Sequence, residues 1–520
     1  MTSAADSSSP RVADLVATTA SRHPEALALI VTADRTPITY RDLVRLVDDL
    51  AEQLTQAGLR PGDRAALRAR SAAAFVFGLL AASRAGLVVV PLDPALPAAE
   101  QRARITTAGA RVVLIDGDAP GEVREPTLPC WPISVTLASD DGGFATHLDT
   151  TVAPFPTPAT PDGLRPDDAL IMFTGGTTGS PKMVPWTHDS VACSVRGVID
   201  TYGLGPHDAT VAVMPLFHGH GLIAALLSSL ASGGTVLLPA GGRFSAHTFA
   251  DDVLAARATW FTAVPTIHQI LLERATTDQP GHERAPLRFI RSCSAALSPD
   301  TARALRTTFA APVRSAYGMT ESTHQVTSTG ENQGELTSGL VGRSTGAQIR
   351  IVGDDGRSCP PDSVGEIWLR GRTVVRGYLG DSAATERTFT DGWLHTGDLG
   401  SLTAQGELTL RGRIKELISR GGEKISPERV EGVLTGHPNV VEAAVFGVPD
   451  RIYGETVAAA IVPDWSAPPT AAELADFCRE RLAAFEVPAN IALTAQLPHT
   501  AKGSVDRRAV AERFGKGAQR

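Results

Sequence analysis

The chain has 520 residues, 43% hydrophobic and 20% charged, and a formal net charge of −8 at pH 7. That length exceeds one ordinary domain. The composition is globular rather than disordered, and the negative balance gives no electrostatic footprint for nucleic acid or an anionic membrane. Five scattered cysteines without a C-x-x-C pair fit a reducing cytoplasm and argue against disulfide or metal frameworks. The polar start MTSAADSSSP lacks the basic and apolar regions of a signal peptide, and no run of about 18 apolar residues suggests a membrane span.

An amphipathic stretch, RVADLVATTA, follows the polar start. From about residue 40 to 320 short apolar runs alternate with helical patterns. ALRAR, RVVLID, DALIMF, TVAVM, GTVLLP, TWFTAV and LRFIRS read as buried strands, and FVFGLLAASRAG, LIAALLSSLASG and ADDVLAARA as helices between them. This alternation predicts an α/β architecture of parallel, helix-covered sheets. A Pro/Asp-rich break at 153–168 is expected to separate two subdomains. Beyond 345 the pattern becomes hairpin-like (AQIRIVGDDGR, GEIWLRG, GELTLRGR). After about 412 come two strands, VVEAAVFGV and TVAAAIV, and a helix, AELADFCRERLAAF. The expectation is a large domain over 1–411 and a small, mobile α+β domain over 412–520.

Four loops carry chemistry. DALIMF runs directly into TGGTTGSPK, residues 174–182, whose glycines and hydroxyls let backbone N–H groups turn around an anion. Lys182 adds a point charge suited to phosphate, although the spacing is not that of a GxxxxGK[ST] loop. AYGMTES (316–322) sets an aromatic ring near a Thr-Glu pair, suited to a base and to a metal beside phosphates. GWLHTGDLG (392–400) puts Asp398 in a glycine-flanked turn, where a carboxylate can take a diol. GRIKELISRGGEKISP (412–427) pairs a basic turn with a Gly-Gly that admits close backbone approach. Each alone is an ordinary loop; their joint order over about 250 residues is not accidental.

The set resembles the adenylate-forming enzymes, which include acyl-CoA synthetases, peptide-synthetase adenylation domains and luciferases. The resemblance implies that ATP and an acid give an acyl-adenylate and pyrophosphate, after which the small domain rotates and a thiol or amine takes the acyl group. It implies that Thr174, Gly175, Gly176, Thr177, Thr178, Gly179 and Lys182 cradle the polyphosphate. Ser294, Ala295, Ala296, Tyr317 and Gly318 would receive the nucleotide, Tyr317 stacking on adenine. Thr320 would touch phosphate and Glu321 would hold Mg²⁺. Asp398 and Arg413 would bind the ribose, and Lys415 would mark the hinge. Gly175 stands where the family usually has serine.

The acid is read from the pocket, since the fold hosts many acids. MPLFHGHGL brings His218 and His220, RSCSAAL brings Ser292 and Ser294, and TESTHQ brings His324. An aryl or fatty acid wants apolar walls; imidazoles and hydroxyls suit a small, strongly hydrated anion. His218 is the least discriminating, because family members often carry His there without using it on the acid. PLFHGHGL, GRFSAHTF, ATWFTAVPTIHQ, LRFIRSCSA and RIKELISRGGEKISP resemble oxalate–CoA ligases of plants and fungi, which makes His220, Ser294 and His324 the implied anchors.

Two departures bear on the reaction. The family's terminal Pro-x-Thr-x-Ser-Gly-Lys is PHTAKGS here, with Lys502 in the serine place and Ser504 in the lysine place. Residues two apart in an extended segment face one side, so Lys502 can bring its long side chain to the same point; otherwise adenylation is slower or rests on other charges. Glu486 and Ala489 stand where relatives carry two lysines, which weakens the case for polyanionic CoA. Three readings follow. One is an oxalate-like acid passed to CoA. The second is nitrite passed to an aryl amine, as in diazotases of bacterial secondary metabolism. The third is a nucleotide-binding regulator without turnover, as a monomer or homodimer like the others.

Overall fold

The computed structural model describes residues 10–31, 34–116, 128–136, 144–150, 159–174, 181–277, 286–331, 334–500 and 505–515. The architecture is α/β, as the alternation of short apolar runs with helical patterns predicts. Helix Tyr40–Gln56 illustrates how its elements arise. Thr39 caps it by accepting from Asp42 N, and Leu43, Leu46, Val47, Leu50 and Leu54 fall on one face and are buried.

One sheet orders seven strands as Ala145–Leu148, Cys130–Thr136, Val112–Asp116, Arg64–Arg68, Val88–Pro91, Asp168–Phe173 and Met183–Thr187. Its inner pairings are parallel, but both edges are antiparallel. The Pro/Asp-rich break therefore separates no subdomains. The strands before and after it share this sheet.

A second, longer sheet runs in parallel from Leu27–Val31 through Thr235–Leu237, Ala209–Val211, Trp260–Ala263 and Phe289–Ser292 to Val313–Met319. It then turns antiparallel at His324–Ser328 and continues through the hairpin strands to Gln348–Val352. The expectation of parallel sheets over about 40–320 holds for the inner pairings and is corrected at the antiparallel edges of the first sheet. The strands Phe289–Ser292 and His324–Ser328 flank the change of direction at Val313–Met319.

The helix expected over 222–233 is two segments. His220–Leu227 is a π-helix, with Ser228 N–H donating to Ile223 O, and Ser228–Ser232 is α-helical. π-Helical turns are frequent at functional sites, and this one begins on His220. The helix expected over 472–485 stops at Arg479.

A third sheet orders Glu423–Ile425, Ile418–Arg420, Gly454–Pro463 and Val440–Asp450, with Asn490–Leu493 parallel to Gly454–Pro463. Strand Leu408–Arg413 still pairs with the second sheet. The chain changes sheets across the 3-10 turn Ile414–Glu416, which holds Lys415. Among the described residues no helix is long and apolar enough to cross a membrane.

Candidate active site

The loop TGGTTGSPK joins antiparallel strands Asp168–Phe173 and Met183–Thr187. Its neck is closed by Thr174 N–H to Lys182 O at 3.1 Å and Lys182 N–H to Thr174 Oγ1 at 3.2 Å. Gly175, Gly176, Thr177, Thr178 and Gly179 lie outside the described residues. Lys182 Nζ sits 4.3 Å over the ring of Tyr378, whose hydroxyl donates to Glu321 Oε1 at 2.9 Å. Burial, then the charge of Glu321, pushes the Tyr378 phenol up, so it stays a donor. Tyr378 thus links the loop lysine to the glutamate of AYGMTES. Nothing in its local sequence, VVRGYLG, announces that role.

The turn bearing Thr320 and Glu321 is clamped from three sides. Trp186 Nε1 donates to Thr320 O at 2.8 Å, Ser194 Oγ to Thr323 O at 2.5 Å, and Val375 N–H to Glu321 O at 2.9 Å. Gly318 lies against the carbonyl of His324, where a Cβ has no room. Tyr317 is buried and donates through its hydroxyl to Asp398 Oδ2 at 2.5 Å. Burial, with Asp398 adding, raises that phenol well above its usual range. Arg413 Nε reaches Asp398 Oδ1 at 2.8 Å, the two residues facing each other across paired strands. Tyr317, Asp398 and Arg413, predicted separately, therefore form one contact chain. Each carboxylate oxygen keeps a second lone pair for a diol.

Lys502 and Ser504 lie outside the described residues; the flanking His499 and Val505 are bridged, and Asp506 N–H reaches Pro498 O at 2.8 Å. Beside the 3-10 turn that holds Lys415, Arg507 meets Glu416 directly and Glu431 at 3.0 Å. Glu486 accepts from Arg429 Nε at 2.7 Å, so its charge is locally compensated.

The histidines converge as the polar residue types predict. His220 Nδ1 lies 3.1 Å from Ser294 Oγ and its Nε2 lies 2.6 Å from Thr262 Oγ1. Its ring stacks on His324 at 5.4 Å. Ser294, Thr323 and His324 all have positive φ, at 72°, 51° and 83°. Such backbone costs about 1–3 kcal/mol per residue and gathers where a site demands it. Ser294 is exposed at the end of its strand, whereas Ser292 is buried and its hydroxyl finds no partner among the described residues. Ala295 and Ala296 continue the exposed rim. His218 packs edge-on against Phe217 at 4.7 Å.

Behind the histidines lies a residue that the sequence reading passed over. Arg291 is fully buried and reaches Thr262, His324, Gln325 and Tyr202. Its signal was a lone cation inside the apolar strand FIRS, where charge is rarely placed without a task. Burial first, and then the charge of Arg291, pushes His220 and His324 well below the usual histidine range, so both are neutral near pH 7.

Among the described residues no group of three or more His, Cys, Asp or Glu is placed to hold a metal ion. Glu321 beside the polyphosphate loop instead fits Mg²⁺ held by one carboxylate, phosphate oxygens and water. Residues 16–379 match the family described as AMP-binding enzyme, and residues 429–504 its C-terminal domain. The chain belongs to the AMP-binding enzymes.

Among these adenylate-forming enzymes, it is 41% identical over 511 residues to an oxalate–CoA ligase of Arabidopsis thaliana, covering 97% of this chain and 99% of that one. It is 34% identical over 504 residues to a sulfoacetate–CoA ligase of Cupriavidus necator, covering 95% and 96%. The ATP-bound crystal structure of MatB from Rhodopseudomonas palustris superposes with a TM-score of 0.81 at 28% identity, covering 98% of this chain and all of that one.

Proposed function

We propose that this AMP-binding enzyme is an acid–CoA ligase. It activates a small acid with a second anionic group, oxalate foremost, as an acyl-adenylate. The observation that carries this reading is the cluster of buried His220 and His324 with Ser294 at its exposed rim, Ser294 and His324 at positive φ, and buried Arg291 behind it. Such a cluster sets hydrogen-bond donors beside a buried positive charge, which suits a small, strongly hydrated anion. The relatives named for oxalate and sulfoacetate both act on acids with a second anionic group beyond the activated carboxylate.

In this reading one carboxylate oxygen attacks the α-phosphorus of ATP, pyrophosphate leaves, and the CoA thiolate then attacks the acyl carbon and expels AMP. His220, Ser294 and His324 hold the group that does not react. Asp398 and Arg413 hold the ribose, Tyr317 borders the adenine, and Thr174, Lys182 and Thr320 receive the polyphosphate. Mg²⁺ on Glu321 would neutralise phosphate charge when bound. The 412–520 segment would turn about Lys415 between the two half-reactions. Glu486, already compensated by Arg429, does not by itself repel CoA.

Pyrophosphate release over oxalate, sulfoacetate, acetate, a cinnamate-type acid and nitrite, with CoA or an aryl amine, tests the assignment. Oxalate with CoA should lead. His220→Ala and Ser294→Ala should raise the KM for the anion and leave that for ATP in place. Turnover of nitrite with the amine alone would overturn the CoA reading, and nucleotide binding without turnover would favour a regulator.

A further inference from the structure

Arg291 carries five N–H donors and no acceptor, and it is completely buried. Nε donates to Tyr202 Oη at 3.0 Å and Gln325 Oε1 at 3.2 Å, Nη1 to Thr262 Oγ1 at 3.0 Å, and Nη2 to Gln325 Oε1 at 2.9 Å and His324 Nε2 at 3.1 Å. Every one of these partners is neutral. The Cys293 thiol also lies against it, and among the described residues no carboxylate pairs with it. A buried cation without a counter-anion costs several kcal/mol, so the fold retains a positive charge that something else is meant to balance.

The same donors order the protons in front of it. Since an arginine N–H cannot accept, His324 Nε2 is the acceptor, and the ring is neutral with its proton on Nδ1. That Nδ1 has no partner among the described residues. Thr262 Oγ1 accepts from Arg291 with one lone pair, and its own hydrogen is available to His220 Nε2 at 2.6 Å. His220 then also carries its proton on Nδ1, facing Ser294 Oγ at 3.1 Å, and the serine O–H is left free to donate. Two relays therefore leave Arg291, one through His324 and one through Thr262 and His220 to Ser294. Both end in donors.

We propose that Arg291 is the specificity-determining positioning residue of this enzyme. It supplies the fixed countercharge, and it sets the tautomer of His324 directly and that of His220 through Thr262, so that the pocket prefers acids retaining a second negative charge after adenylation. The proposal rests on the reading that His220, Ser294 and His324 hold the non-reacting group. It goes further by naming the residue that makes charge, rather than size, the criterion.

Oxamate tests it, being the shape of oxalate with an amide in place of one carboxylate. Pyrophosphate release is measured with both acids on wild type, Arg291→Gln, Arg291→Lys and Thr262→Val, with ATP binding by calorimetry confirming that each variant is folded. Wild type should prefer oxalate, and Arg291→Gln should shrink that preference by about 10- to 100-fold, through the KM for oxalate. Arg291→Lys should recover much of the preference while keeping a raised KM, because one ammonium cannot serve both relays. Thr262→Val should raise the oxalate KM and keep the preference.

An unchanged oxalate-to-oxamate ratio in Arg291→Gln overturns the countercharge. If that variant does not fold, Arg291→Lys decides: a wild-type oxalate KM there overturns the relays. Failure of the wild type itself to use any doubly charged acid overturns the underlying pocket reading and is recognised before a variant is made.

Discussion

Asp398→Asn removes one charge from the centre of the nucleotide contact chain and leaves the side-chain shape intact. The carboxylate accepts from Tyr317 Oη at 2.5 Å and pairs with Arg413 Nε at 2.8 Å. An asparagine keeps one acceptor and turns an N–H₂ toward the other donor, so one buried polar group loses its partner, at about 1–3 kcal/mol. The Arg413 pair adds less, under about 1 kcal/mol, because that side chain is 58% exposed. Folding stability should thus fall by about 1–4 kcal/mol. If the remaining lone pairs take the ribose diol, at least one charge-assisted bond is also lost, and nucleotide binding weakens about 10- to 100-fold. Calorimetric titration with AMP, together with urea unfolding, separates the two effects. An unchanged AMP affinity alongside the lowered stability would show that Asp398 only clamps Tyr317 and Arg413, and would refute its place on the ribose.

Three further outcomes are expected. Burial pushes His268 down to about 4, so its neutral form supports folding fully above the unfolded value of about 6.5, and that support is lost as pH falls toward 4; the difference is worth about 3 kcal/mol. His268→Leu should flatten the urea-measured stability between pH 7 and pH 4, whereas a slope as steep as wild type would contradict the assignment. Tyr378→Phe cuts the link between Lys182 and Glu321 and should slow pyrophosphate release about tenfold with the anion KM unchanged, a normal rate being the contrary result. Lys502→Ala should cut adenylation by about 10²- to 10³-fold with AMP binding intact, and the exchange Lys502→Ser with Ser504→Lys should preserve the rate; normal turnover in the first variant would make this lysine dispensable.

Much of the fold was legible because burial leaves a one-dimensional trace. Runs such as RVVLID and DALIMF are strands because both faces of a central strand are covered, and VVEAAVFGV pairs with TVAAAIV along their whole length. The antiparallel edges were not legible, since an apolar run does not state the direction of its neighbour. The 153–168 break misled for a related reason. Pro and Asp mark a loop, but not whether the chain returns to the same sheet.

The sequence by itself determined the chemistry on offer. A glycine-rich loop with its lysine, a Thr-Glu pair, an aspartate in a glycine turn and three polar pocket residues are matters of residue type and order, and these follow the chain. Only the tertiary structure decided which of them act together. Arg291 lies 29 residues from Thr262 and 33 from His324, and Tyr378 lies 57 from Glu321. Their meaning arises when neighbouring strands and loops close on one another. Burial then removes the water that would have screened the Arg291 guanidinium, and its charge acts on the histidines in front of it.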